Sequence, residues 1–229
     1  MSIGRPVFYA GLLAAAIALT GGAKAATVVT NGSFEQGVPG NTPGTVNGAL
    51  FGQLPSGSPS SWDVWTNLIG WTTSRGPGVE LQTDGTHPTV DAQDGEYYAE
   101  LDSTANSSIY QDVALHVGRY MLSFWYNSAT GNFRSDGINY RLSGLTSGRV
   151  TSATPGVVAG AWTQVTVEFL VKTAKNYRLT FAASGRSDGS GGLLDNIEIV
   201  PVPVPASGLV LLGALGGLAM LRRRITGQA

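Results

Sequence analysis

From about residue 97 to residue 200 apolar and polar positions alternate with a period of two. In GRYMLSFWYNS, Tyr120, Leu122, Phe124 and Tyr126 share one face, while Met121, Ser123, Trp125 and Asn127 share the other. WTQVTVEFLV repeats the pattern, with Val165, Val167, Phe169 and Val171 against Gln164, Thr166 and Glu168, which reads as a strand with one wet face. NYRLTFAAS turns Tyr177, Leu179 and Phe181 inward against Arg178 and Thr180, and LLDNIEIV alternates Ile197 and Ile199 with Asn196 and Glu198. TVVTNGSFE, GVELQ, EYYAELD, SIYQDVAL and INYRLSG read as shorter strands. Long helical periodicity is absent, so about nine strands joined by turns predict an all-β chain, a jelly-roll β-sandwich.

Turn residues mark the connections. Residues 37–61, rich in Gly, Pro and Ser, form a long loop after the first predicted strand, and SGRSDGSGG (184–192) connects to the last one. The second stretch lacks the lysine and the strand-to-helix setting of a phosphate loop.

The two ends have another character. Residues 1–25 carry Arg5, an apolar stretch from about Val7 to Leu19 and the small residues Ala23 and Ala25 at a cleavage-like spacing, which predicts a secretory signal peptide. Residues 26–200 are then the folded domain, and 201–229 a C-terminal segment. Ala206 to Leu221 is a run of 16 residues without charge. As a helix it would measure roughly 24 Å, slightly short of a bilayer's hydrocarbon core of about 30 Å, and snorkelling arginines close such a gap. Arg222, Arg223 and Arg224 would stay cytoplasmic and hold the domain outside. Read this way, 206–221 is a single transmembrane helix, either a lasting anchor or an address cut off after use.

Composition narrows the function. A formal net charge of -1, with Lys and Arg scattered apart from the terminal triplet, provides no field for phosphates, so nucleic acid is excluded as a partner. The chain has no cysteine, so an exported domain of this size depends on packing, hydrogen bonds and a metal ion if one is bound.

Five stretches in order, NGSFE (31–35), WTNLIGWTTSRGPGVELQ (65–82), AELDSTANSSIYQDVAL (99–115), GRYMLSFWY (118–126) and GGLLDNIEI (191–199), resemble a family of exported bacterial domains. These are galactose-binding-like sandwiches related to carbohydrate-binding modules. The C-terminal piece resembles the VPLPA variant of the PEP-CTERM sorting signal, through Val202, Pro203, Val204, Pro205 and Ala206, the apolar segment and the arginine cluster; Val204 stands where the variant has leucine. The resemblance implies an exosortase-like membrane protease as a partner during export, and a cell-surface or extracellular destination. It also implies a structural calcium ion where the first strand meets the last, at the matching positions Glu35 and Asp195, whose carboxylates suit a hard cation. Without a metal, Glu35 would cap a turn and Asp195 would accept backbone amides.

Candidate chemistry is sparse. His87 and His116 lie far apart with no partner at ligand spacing, no G-x-S-x-G elbow occurs, and Asp84, Asp91 and Asp94 do not have EF-hand spacing. Glu96, Glu100, Asp102 and Asp112 could supply a carboxylate pair for glycoside hydrolysis, and equally a solvated face. Sugar binding needs exposed aromatic platforms beside polar groups. Trp125, opposite the core face of its strand, is the first candidate, and Trp62 and Trp65 beside the long loop come next; Trp71, Tyr97 and Trp162 read as core. The sequence thus points to a non-catalytic exported protein that binds extracellular polysaccharide. A purely structural matrix protein and a secreted glycan hydrolase stand as alternatives.

Overall fold

Twelve strands form in the described residues: β1 (Trp62–Trp65), β2 (Asn67–Leu68), β3 (Trp71–Arg75), β4 (Val79–Thr83), β5 (Tyr97–Glu100), β6 (Ser108–Leu115), β7 (Gly118–Asn127), β8 (Gly137–Leu142), β9 (Thr146–Val150), β10 (Thr163–Val171), β11 (Lys175–Ser184) and β12 (Leu193–Pro201). The structure is a computed structural model and describes residues 26–38, 40, 42–55, 61–88 and 90–203. The expected signal peptide (1–25), Val204, Pro205, Ala206, the apolar segment 206–221 and Arg222 to Arg224 lie outside the described residues. Among those described, no helix is long and apolar enough to cross a membrane.

The strands make two six-stranded sheets, ordered β1-β4-β5-β12-β7-β10 (sheet A) and β2-β3-β6-β11-β8-β9 (sheet B), and every pairing is antiparallel. From β5 onward most consecutive strands switch sheets, so each sheet is assembled from distant segments. The alternation read from sequence places the core: Leu122, Phe124, Tyr126, Leu179, Phe181 and Ile199 are fully buried between the sheets. Five rings run through it in sequence, Phe34 to Trp71 (6.0 Å), Trp71 to Phe181 (6.1 Å), Phe181 to Phe124 (5.1 Å) and Phe124 to Tyr140 (5.2 Å), in tilted or edge-on contacts.

TVVTNGSFE departs from the expected strand. Asn31 and Phe34 have φ of 53° and 63°, left-handed values that break a ladder, and no strand forms there. The segment instead joins the two sheets. Val28 N and Gly32 O bond to β12 at Ile199 O and Ile197 N (both 3.0 Å), while Thr30 exchanges two bonds with the Gln111 side chain on β6 (2.7 and 2.8 Å). A Cβ on Gly32 would lie 2.0 Å from Ile197 O. Gly32→Ala therefore forces this seam apart, and thermal melting should show a midpoint lower by roughly 5–10 °C.

The long loop contains no strand among its described residues, as expected, and is fastened by one carboxylate. Asp63, fully buried, accepts the amides of Val46, Asn47, Ala49 and Val64 at 2.7–3.0 Å. Burial pushes its carboxyl up, but the four N–H groups outweigh that and hold it below the ordinary carboxylate value.

Candidate functional site

Directly paired residues of neighbouring strands point to the same face, so register shows what shares the outer face of sheet A. One row runs Trp62–Gln82–Tyr98 across β1, β4 and β5, and Asp195–Trp125–Gln164 continues it on β12, β7 and β10. A second row runs Val64–Glu80–Glu100–Leu193–Asn127. Trp62 and Trp125 are half-buried on this face, four strand steps or about 19 Å apart. Phe124 on the opposite face is fully buried.

Trp65 is not on this face. It stands three positions after Trp62, and an odd spacing in a strand turns a side chain to the other side. It is 2% exposed, its ring edge-on to Phe51 (6.3 Å) and its indole N–H donating to Thr42 O at 3.0 Å, so no ring face remains for a ligand. Trp162, expected in the core, instead lies on the outer side of sheet A. Its ring meets Tyr98 edge-on at 5.9 Å, and its N–H holds Asp91 O at 2.8 Å in the β4–β5 connection. With Val90, Leu193, Ala92 and Ala129 these rings form a small second core on that face.

Beside this core lies a polar group that sequence reading missed. The Gln82 amide nitrogen donates to Glu80 Oε1 and Glu100 Oε2, both at 2.7 Å, and Glu100 Oε1 accepts the Gly191 amide. His87 Nε2 is 3.8 Å from Glu100 Oε2. Burial, with the Glu100 charge opposite, pushes the Glu80 carboxyl up to about 7. Gln82 Oε1 and both amide atoms of Asn127 are buried with no hydrogen-bond partner. An unpaired buried polar atom is costly, and water is the commonest group to complete its bonding. In VELQT the alternating Glu80 and Gln82 look like a solvated face, yet all five residues are buried.

The acids that could have supplied a carboxylate pair for hydrolysis do not converge. Glu96 is exposed, Asp112 forms a two-point surface pair with Arg178 (both 2.9 Å), and buried Asp102 accepts from Ser187 Oγ and Asp188 N. Glu100 instead faces Glu80. His116 is exposed. A groove of about 520 Å³ crosses sheet B beside Tyr110, but Arg178 stacks 3.8 Å above that ring and covers it.

Glu35 and Asp195 both grip the turn before β5. Glu35 Oε1 accepts the amides of Glu96 (2.9 Å) and Tyr97 (2.8 Å), and Asp195 accepts those of Gln93 (2.8 Å), Asp94 (3.0 Å) and Asn196 (2.6 Å). Burial pushes the Asp195 carboxyl up to about 7 despite these bonds, and burial also raises Glu35; the Asp94 charge adds to both. Among the described residues no three His, Asp or Glu side chains converge to hold a metal by themselves. Oxygen donors are the right kind for calcium, so an ion here would need backbone carbonyls as well.

No family model matches the chain. Over 131 residues, 56% of the chain, it is 32% identical to a multifunctional-autoprocessing repeats-in-toxin protein of Vibrio vulnificus, and 31% identical to the Vibrio cholerae protein of the same name. The chain spans only 2% and 3% of the length of these relatives. Among solved structures it is similar to TmCBM61 in complex with beta-1,4-galactotriose (18% identity, TM-score 0.49, covering 77% of this chain and 99% of that one). It is also similar to the CBM22-1 xylan-binding domain of Paenibacillus barcinonensis Xyn10C (15%, TM-score 0.40, covering 80% and 99%). At this level of identity and superposition, the likeness bears on neither ligand nor site.

Proposed function

We propose that the protein is an exported, non-catalytic polysaccharide-binding module whose ligand lies along the outer face of sheet A. The observation that carries this reading is that Trp62 and Trp125, both half-buried, share the outer face of sheet A. Half-buried indoles stack on the apolar faces of sugar rings. Glu80 and Glu100 brace this face from within. Both are buried and bridged by the Gln82 amide, an arrangement that holds strands together rather than protonating a leaving group. A glycan array probed with the secreted form tests the proposal: retention of a discrete set of polysaccharides is expected, and binding to none would favour a purely structural matrix role.

Delivery belongs to the same proposal. Residues 1–25 direct export, and 202–224 act as a sorting signal cut by an exosortase-like membrane protease after 206–221 has spanned the bilayer. Mass spectrometry of the surface form should find a C-terminus before Ala206; an intact Ala229 would make the segment a permanent anchor. Glu35 and Asp195 would hold a structural calcium ion that ties the first segment, the turn before β5 and β12 together.

A further inference from the structure

Both chain ends leave the sandwich at the same end. Thr27 Oγ1 accepts the Ile199 amide (3.1 Å), Val28 N donates to Ile199 O (3.0 Å), and Val202 N donates to Arg119 O (2.9 Å) where β7 begins. That end is formed by the β6–β7 turn, the β10–β11 turn and the last residues of β12, since Gly118 pairs with Val171, Leu115 with Lys175 and Tyr120 with Pro201. Two of the domain's most exposed apolar side chains are here, Val117 (68%) and Leu170 (47%).

Charge separates in the same direction. All 15 acidic residues but only nine of the 14 Lys and Arg fall within residues 26 to 203, so the domain as a whole is acidic. Yet both of its lysines, Lys172 and Lys175, are exposed at this end, and exposed Arg119 pairs with Leu170. Lys175 Nζ lies 4.9 Å over the Tyr177 ring, and the acid nearest in register is Glu168, two residues earlier on β10. From Pro203 only three residues lead to Ala206, where the apolar run begins, a reach of at most about 11 Å.

We propose that this end of the sandwich is a foot that rests on the anionic headgroups of the bilayer while 206–221 spans it. Val117 and Leu170 enter the interface, and Arg119, Lys172 and Lys175 pair with lipid phosphates. The inference rests on the spanning reading of 206–221 and adds an orientation to it. With the chain exit so near the membrane, the strands stand roughly upright, and the outer face of sheet A is presented sideways to a glycan. Val158, 63% exposed in the loop before β10, is then held up by that nine-residue strand, roughly 30 Å above the foot.

The absence of cysteine makes the test direct. Full-length chain carrying Val117→Cys or Val158→Cys is labelled with a fluorophore and reconstituted into phosphatidylglycerol-containing vesicles that hold a lipid-borne quencher. The label at 117 should be quenched several-fold more than the label at 158. Phosphatidylcholine vesicles, or Lys172→Glu with Lys175→Glu, should shrink that difference, each lost positive charge weakening contact about fivefold and each reversal by more. Equal quenching at the two positions in chain that floats with the vesicles overturns the foot and leaves the spanning segment standing. Chain that fails to float overturns both.

Discussion

Asp195→Ala lowers the melting midpoint by on the order of 10 °C, the largest stability effect expected outside the aromatic core. The substitution strips the fully buried acceptor from three part-buried amide bonds, those of Gln93, Asp94 and Asn196. Each buried N–H left unpaired costs about 1–3 kcal/mol, and a domain of this size loses a few degrees per kcal/mol. The same residue makes stability depend on pH. Burial pushes its folded carboxyl up to about 7 from an ordinary 3.8, so its contribution is full below about 4 and is lost as pH rises towards 7. Glu80, also raised to about 7, acts in the same direction, and Glu80→Gln removes its share. Chelator-treated protein should therefore melt higher at pH 5 than at pH 8. If calcium occupies the Glu35 and Asp195 site, adding it at pH 8 should recover several degrees and at pH 4.5 almost none. A midpoint at pH 8 indifferent to both calcium and chelator would remove the ion from the proposal.

Trp125→Ala should weaken polysaccharide binding by about tenfold to a hundredfold while leaving the melting midpoint within a few degrees. The indole is half-buried on the outer face of sheet A, and its removal leaves Phe124 and the inter-sheet core untouched. Trp62→Ala should act in the same direction. Trp65→Ala should do the reverse, destabilising the fold through the lost contacts with Phe51 and Thr42 O and changing affinity only as far as the fold loosens. Calorimetric titration of the three variants with one bound polysaccharide separates the cases. Equal affinity for Trp125→Ala and the parent would take the ligand off this face.

Much of the sandwich is legible from alternation. β7, β10, β11 and β12 are long enough for a period of two to declare itself, and their inward residues are those the pattern assigns. β2 has two residues, and β3 and β9 are five-residue strands with partly wet patterns, too weak a signal to separate from turns. β1 lay beside the Gly, Pro and Ser stretch and was absorbed into its surroundings, so the opposite facing of Trp62 and Trp65 went unread. The first segment failed for a different reason. Its residues favour extended backbone, but two left-handed positions and the bond exchange with Gln111 turn it into a bridge between sheets.

The candidate site was less legible than the fold. Trp125 stood out because its strand is long and its opposite face is plainly apolar. Glu80, Gln82 and Asn127 did not, because alternating polar residues look the same whether water or another part of the chain covers them. Their burial depends on the β4–β5 connection and Trp162, which come from stretches remote in sequence and lie over one face of sheet A. The carboxylates Glu35 and Asp195 were picked out by resemblance, but their common grip on residues 93–97 is a fact of the folded chain.

By itself, the sequence determined the all-β class, the inward faces of the long strands, the turn-rich connections and the contrast between a folded middle and two apolar ends. Those are local properties, written in the period of side-chain polarity and in turn residues. Only the tertiary structure decided which strands are neighbours, that Trp62 and Trp125 share a face from which Trp65 is excluded, that an outer face carries buried acids, and that Thr27, Val28 and Val202 lie at the end of the sandwich that carries Lys172 and Lys175. Each of these depends on pairing between segments tens of residues apart, for which polarity along the chain holds no register.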